Sequence, residues 1–275
     1  MPEGDTIYRA ARTLNAALAG RVVTRFETAL AHLARVDDDA PLAGRRVEGV
    51  TSRGKHVLMA FSGDLFLRTH MRMNGSWHVY RPGERWQAPR RDMRIVVATD
   101  AYEAVAFRVP VAEFRTAAAL ARDEAWTAVG PDLLAPDFEP REAVARMRGL
   151  DPQTALGDAL LNQRAMSGIG NVFKSEICFA AAASPFTPLS ALDDGRLLAI
   201  VGIAQRQMRA NVHDPSTELV TWSGGRRTTG RADPSAALWV YGRAGAPCRR
   251  CGTPIVLDRR GDAARLTYYC PRCQQ

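Results

Sequence analysis

The sequence predicts an α+β chain of several domains: an N-terminal β-sandwich led by a helix, a helical middle, and a C-terminal β-hairpin held by cysteines. Three observations carry this reading. Seven short apolar or alternating runs lie between residues 22 and 109, separated by turn-rich segments, and strands at that spacing suit a sandwich. No strand pattern follows residue 125 until the cysteine-rich segment, which holds four of the five cysteines between residues 248 and 273.

Asp5 or Thr6 can cap a first helix, whose apolar residues Ile7, Ala11, Leu14 and Leu18 share one face and whose stop is Gly20. The strand runs then cover residues 22–26, 47–50, 56–61, 65–69, 76–80, 94–98 and 103–109. Pro131, Pro136 and Pro140 mark a connector, which sets expected boundaries of 1–125 for the sandwich, 126–139 for a linker, 140–235 for the helical domain and 236–275 for the cysteine segment. Helices are expected at 141–148, 156–161, 171–183 and 193–211, with Ser167-Gly168-Ile169-Gly170 as a tight turn opening the third. A glycine turn at a helix start offers unpaired N–H groups to an anion. It is equally an ordinary helix-to-helix turn.

The cysteines are spaced Cys248-x2-Cys251-x18-Cys270-x2-Cys273. Two such knuckles present four thiolates to zinc, and a segment this short has too little core to fold without a staple. A pair of disulfides is the alternative. Residues 253–257 and 265–269 read as two short strands around a turn, with arginines near the tip of the hairpin. Cys178, alone in an apolar run, reads as a core residue.

With 46% hydrophobic and 24% charged residues over 275 positions, the chain excludes wholesale disorder. No apolar window approaches eighteen residues and the first residues lack a basic stretch followed by an apolar one, so membrane-spanning and secreted readings are disfavoured and a cytoplasmic protein is expected. The net charge is +8, and residues 206–275 hold 12 arginines against 5 acids. Clustered arginine suits a polyanion such as nucleic acid; a solvated surface in a chain that prefers arginine to lysine is the other explanation. Only Lys55 and Lys174 are lysines among 37 basic residues.

Four separated motifs carry a family resemblance over the whole chain. They are Met1-Pro2-Glu3-Gly4, the strand start Gly54-Lys55-His56, the stretch Leu160-Leu161-Asn162-Gln163-Arg164 leading to Gly168-Ile169-Gly170-Asn171, and Val240-Tyr241-Gly242-Arg243 ahead of Cys248. Together they resemble the Fpg/Nei family, the formamidopyrimidine-DNA glycosylases and endonuclease VIII enzymes of base-excision repair. The resemblance implies a β-sandwich with a leading helix, a helix-two-turn-helix domain and a zinc-finger β-hairpin with structural zinc on Cys248, Cys251, Cys270 and Cys273. It also implies a monomer acting on damaged, double-stranded DNA in the bacterial cytoplasm, associated with the nucleoid when on DNA, and no membrane partner.

Residue roles follow from the same resemblance. Loss of Met1 leaves Pro2 as a free secondary amine at a helix start; α-amines titrate near 7.7–8.0 in general, and the positive end of the helix dipole favours the neutral, nucleophilic form. Attack on deoxyribose C1′ displaces the base and gives an iminium, and Glu3 is placed as general acid/base. Without the resemblance, Pro2-Glu3 is an ordinary helix start. Lys55 is implied as the loop lysine that contacts the phosphates and assists the chemistry at the lesion as a third catalytic residue, with a plain surface charge as the alternative. His70, Asn171 and Arg265 are implied as phosphate contacts. Arg72 and Met73, in the turn His70-Met71-Arg72-Met73-Asn74-Gly75, are candidates for the wedge that fills the gap left by a rotated nucleotide, against a reading of Met73 as core. Lys174 reads as a phosphate contact or a solvated helix residue. The start Pro2-Glu3-Gly4-Asp5-Thr6 is closer to endonuclease VIII-like members, so oxidised pyrimidines are the expected lesions, ending in β,δ-elimination. Oxidised purines, or damaged-DNA binding without catalysis, are the alternatives. Thr6 stands where the family commonly has glutamate.

Overall fold

The structure, a computed structural model, describes residues 2–212, 226–231, 233–260 and 265–275. Two compact units meet between Ala128 and Val129 in the chain.

The first unit begins with α1 (Gly4–Leu18), whose Ile7, Ala11, Leu14 and Leu18 are buried as their spacing requires. It continues through β1 (Arg25–Thr28), α2 (Ala31–Asp39), β2 (Val47–Arg53), β3 (His56–Phe61), β4 (Leu65–His70), β5 (Ser76–Tyr80), β6 (Met93–Ala98), β7 (Glu103–Phe107) and β8 (Val111–Arg115). All pairings are antiparallel, in two four-stranded sheets ordered β2-β3-β4-β8 and β1-β6-β7-β5. Between them lies an apolar core that includes Val57, Met59, Phe61, Leu67, Ile95, Val97 and Ala106. A sandwich has two open sides where unpaired edge strands face solvent, and here each side is closed by a helix. The first helix packs on the edges β2 and β5, and α2 packs on the other two edges, β1 and β8. Covering edges in this way removes templates for wrong strand pairing.

Three features of this unit depart from the sequence pattern. The eighth strand, β8, follows Pro110 and exposes Val111, so its alternation is broken at its first residue. Helix α2 is mostly polar and buries only Leu33. Strand β1 starts at Arg25, later than the expected run at 22–26.

Residues 81–92 connect β5 to β6. Both strands pair with β7 in the same direction, Ser76 and Met93 lying opposite Phe107 and Tyr80 and Ala98 opposite Glu103. The connection must therefore travel back along the whole sheet. It covers a second apolar cluster of Tyr80, Met93, Val96, Val105 and Phe107, on which Trp86 and Ala88 pack. Short helices α3 (Ala117–Arg122) and α4 (Glu124–Thr127) end the unit, capped by Thr116 and Asp123, whose side chains accept from Ala119 N and Trp126 N.

The second unit contains α5 (Pro140–Arg148), α6 (Leu156–Leu161), α7 (Asn171–Ala180), α8 (Asp194–Val212) and the hairpin β9 (Val256–Arg260) with β10 (Arg265–Tyr269). Pro140 opens α5, where its missing N–H costs nothing. Helices α5 and α7 pack on α8, and α7 packs on β10. Phe179, Val240 and Ile255 form a small core with Cys248 and Cys270. The first hairpin strand begins at Val256 rather than at residue 253, because Pro254 has no N–H for the ladder and makes only an isolated bridge with Pro247. The expected hairpin tip, at 261–264, lies outside the described residues.

Candidate active site and metal centre

Strand register and one helix direction determine which groups share an end of the sandwich. Gly20 N–H donates to Val47 O at 2.8 Å and Val50 N–H donates to Asn15 Oδ1 at 2.8 Å, so α1 runs antiparallel to β2. The helix N-terminus therefore lies at the Arg53 end of β2. The turn Gly54-Lys55 joins β2 to β3 at that end, and the pairs His56 with His70 and His70 with Val111 place the end of β4 and the start of β8 there too. Residues 70–75 then cross to β5 in the other sheet, and residues 108–110 cross back from β7 to β8.

Pro2 is half-buried directly before α1. The N-cap residue is Glu3, not the expected Asp5 or Thr6; it is 0% exposed, and its carbonyl accepts from Thr6 N at 2.9 Å and Ile7 N at 3.0 Å. Asp5, in the first turn, pairs instead with Arg9 at 3.4 Å, and the Thr6 hydroxyl donates to Asp5 Oδ1 at 3.3 Å. A cavity of about 140 Å³ separates Thr6, Arg9 and Thr13 from Met71, Trp77 and Val79.

Lys55 is half-buried and close enough to His70 to oppose its protonation. Burial, then Arg72, then Lys55 hold the His70 pKa down at about 4. Its Nδ1 accepts from the Arg72 N–H at 3.0 Å, which leaves the ring proton on Nε2 of a neutral imidazole. The neighbouring His56 ring stands edge-on to His70 at 4.8 Å and to Trp126 at 5.6 Å. Burial first, then His70 and Arg68, push its pKa to about 3. Arg68 pairs with Glu113 and, at 2.5 Å, with Asp123, and its guanidinium lies 5.3 Å over Trp126. These contacts fix the end of β4.

Within the 70–75 turn the two methionines point opposite ways. Met71 is 2% exposed and joins the core, whereas Met73 is 58% exposed. The turn closes with Gly75 N–H on Met71 O at 2.9 Å, and a Cβ at Gly75 would stand 2.5 Å from that same oxygen. Arg72 is exposed with φ of 52°. Arg108, also with φ of 52° and paired with Asp92 at 2.7 Å, stands at the same end. Nothing in its sequence neighbourhood singles it out.

In the second unit, Gln163 clamps the glycine turn: its amide donates to Leu161 O and Ile169 O and its oxygen accepts from Gly168 N. Asn171, the first residue of α7, donates through Nδ2 to Leu266 O at 2.8 Å; its buried Oδ1 has no partner among the described residues. That bond brings Asn171 beside Arg265, the exposed first residue of β10. Lys174 is neither of its expected alternatives. It is 2% exposed, and its ammonium donates to Leu266 O at 3.1 Å and Thr267 Oγ1 at 2.7 Å. The sequence also hid Glu176, fully buried, whose carboxylate accepts from Trp239 N, Val240 N and Tyr241 N at 2.8 to 2.9 Å and from the Thr228 hydroxyl.

The four cysteine sulfurs lie within 4.8 Å of one another, with Cys251 to Cys270 at 3.5 Å and Cys248 to Cys273 at 4.0 Å. A tetrahedron with Zn–S of about 2.3 Å has edges of about 3.8 Å, while a disulfide needs about 2.05 Å. The set therefore fits a structural zinc site, with all four positions filled by protein.

Comparison with known proteins agrees with both ends of the chain. Residues 1–110 match the formamidopyrimidine-DNA glycosylase N-terminal domain, and residues 245–275 match the zinc finger found in FPG and IleRS. A probable endonuclease 8 2 of Streptomyces coelicolor is 44% identical over 100% of this chain and 94% of its own length. A DNA-(apurinic or apyrimidinic site) lyase, Nei2, of Mycolicibacterium smegmatis is 40% identical over 100% and 99%. In fold, the chain is similar to Lactococcus lactis Fpg bound to DNA containing an abasic site, with a TM-score of 0.80, 19% identity and 99% of each chain covered. With a 44% identical relative matched over the whole of this chain, the chain belongs to the Fpg/endonuclease VIII family of DNA glycosylases and abasic-site lyases.

Proposed function

We propose that the protein excises oxidised bases, pyrimidines foremost, from damaged duplex DNA and then cleaves the strand by β,δ-elimination. One observation carries the reading: Pro2 and the buried N-cap Glu3 stand at the same end of the sandwich as Lys55, His70, Arg72 and Met73. The relatives named endonuclease 8 and abasic-site lyase support it. So does the start Pro2-Glu3-Gly4-Asp5-Thr6.

With Met1 removed, the Pro2 amine sits at the positive end of α1, which favours its neutral form. Its lone pair bonds to deoxyribose C1′ as the base leaves with the electrons of the glycosidic bond. Ring opening gives a cationic iminium, into which the C2′–H electrons flow when the proton is removed, expelling the 3′ phosphate. Glu3, screened from water, moves protons at the sugar; positioned acid/base groups contribute about 10²–10⁴ in rate. Loss of the second proton expels the 5′ phosphate. The exposed Met73, beside Arg72, fills the space of the rotated nucleotide. Neutral His70 donates through Nε2 to a phosphate, and Lys55, Asn171 and Arg265 add cationic and amide contacts. Zinc supplies no step of this chemistry; it folds the segment that carries Arg265.

The test is borohydride trapping on an abasic duplex. The mature protein forms a covalent adduct, and Pro2→Gly or a retained Met1 abolishes it; an adduct that survives loss of the free Pro2 amine refutes the nucleophile. Nicking of thymine glycol and dihydrouracil duplexes is expected to exceed nicking of 8-oxoguanine paired with cytosine. The reverse order assigns the protein to oxidised purines.

A further inference from the structure

We propose that the connection between β5 and β6, residues 81–92, is a second contact for the sugar-phosphate backbone, taking the duplex that flanks the lesion. The inference rests on the DNA-repair reading above and extends its footprint.

Charge distribution gives the first argument. Residues 206–275 hold 12 arginines and 5 acids of a chain with net charge +8, so residues 1–205 together amount to +1. Against that near-neutral background, residues 81–94 contain five arginines and two acids. The acids are occupied by neighbours. Asp92 pairs with Arg108, and Glu84 accepts from the Arg81 backbone N–H at 2.9 Å. Arg90 pairs with Glu27 at 2.5 Å and lies 5.7 Å over Trp86, and Arg94 donates to the carbonyls of Arg91 and Met93. The exposed side chains of Arg81, Arg85 and Arg91 make no hydrogen bond or ion pair among the described residues.

Geometry gives the second. The segment is anchored from below: Trp86 meets Phe107 edge-on at 5.7 Å, and Gln87 N–H donates to the Tyr80 hydroxyl at 3.0 Å. With its apolar residues turned inward, the arginines face out from a fixed support. The segment then ends in a short 3-10 turn at Arg90–Asp92. Register places that turn, just before Met93, at the same end of the sandwich as Arg108 and the 70–75 turn. The cations thus run from the Lys55 and Met73 end back along the outer sheet. Of these, Arg85 and Arg90 border a depression of about 540 Å³ that is wide open to solvent, along Glu84 to Arg90. An open strip of unpaired guanidinium groups suits a repeating phosphate backbone rather than an enclosed base.

The test uses the full-length, zinc-loaded protein and the double variant Arg81→Gln, Arg85→Gln, with melting temperature and zinc content as controls. Two duplexes with a central abasic analogue are compared, one of about one and a half helical turns and one of about three turns. The variant is expected to lose about tenfold in affinity for the longer duplex, with a salt slope shallower by about 2, since each lost phosphate contact removes about 0.9. Affinity for the short duplex and its nicking rate stay unchanged. Unaltered binding of the long duplex, or an equal loss on both lengths, overturns the proposal. If the wild type neither traps nor nicks abasic DNA yet keeps an arginine-dependent preference for length, the catalytic reading fails while this surface stands.

Discussion

The first unit joins Asp5 and Arg68 to oppositely charged side chains, whereas the second turns the buried charges of Lys174 and Glu176 chiefly onto backbone. Asp5 faces Arg9, and Arg68 faces Glu113 and Asp123, all within a sandwich whose apolar core already defines the strand positions. Lys174 and Glu176 instead hold carbonyl and N–H groups of segments about 50 to 90 residues away, in a unit whose hairpin has a core of only a few apolar residues. Where sheets and helices seal a large core, polar pairs refine the geometry of one end. Where the chain is irregular, charge-to-backbone bonds and a metal take over the work of a core.

Removing zinc separates the two designs most sharply. Structural zinc contributes apparent free energies of about 10–16 kcal/mol to small finger segments, so chelation should unfold β9, β10 and their surroundings and weaken abasic-DNA binding by at least tenfold. Amide signals of the eight sandwich strands should persist. If they vanish together with those of the hairpin, the two units do not have separate supports.

A smaller effect is expected from Lys174→Met. It leaves Leu266 O and Thr267 Oγ1 without their charged donor, at a cost of about 1–3 kcal/mol. Hydrogen exchange should quicken along β10 and leave β2 to β8 unchanged. Unaltered exchange at residues 265–269 would show that the ammonium is not the clamp.

The smallest effect is a pH dependence confined to the first unit. The pKa of His56 is lowered from 6.5 to about 3, chiefly by burial. Above the unfolded value neither state holds the proton. As pH falls below about 6.5, the unfolded chain takes up a proton that the folded one refuses, so stability declines, by at most about 1.4 kcal/mol per pH unit. His70 adds a weaker contribution of the same sign. Urea denaturation at pH 7 and pH 5, compared with His56→Phe, checks this; an unchanged pH slope in the variant removes His56 as the cause.

The elements that were legible in the sequence are those with a local reason to form. Alternation in β3 and β5, the stripe on α1 and the doubled Cys-x2-Cys spacing each act over a few residues. Polar α2 was not legible, because its place is fixed by two exposed sheet edges rather than by its own stripe. Lys174 and Glu176 look like solvated helix residues in sequence, and only the return of residues 228–241 and 265–267 to α7 buries them. Arg108 was hidden for a similar reason, since it acquires its position from a crossing between sheets. Met73 could be read either as core or as wedge until the turn put Met71 inward and Met73 outward.

The Glu176 carboxylate occupies three consecutive N–H groups, Trp239 to Tyr241, the arrangement that elsewhere receives a phosphate. The protein thereby fills an anion site with its own side chain. Fixing a residue's backbone costs about 1–2 kcal/mol of conformational entropy, and here that cost for the loop ahead of Cys248 is met when the chain folds. A ligand approaching this loop meets a surface that is already ordered, so its binding energy is not spent on immobilising the loop.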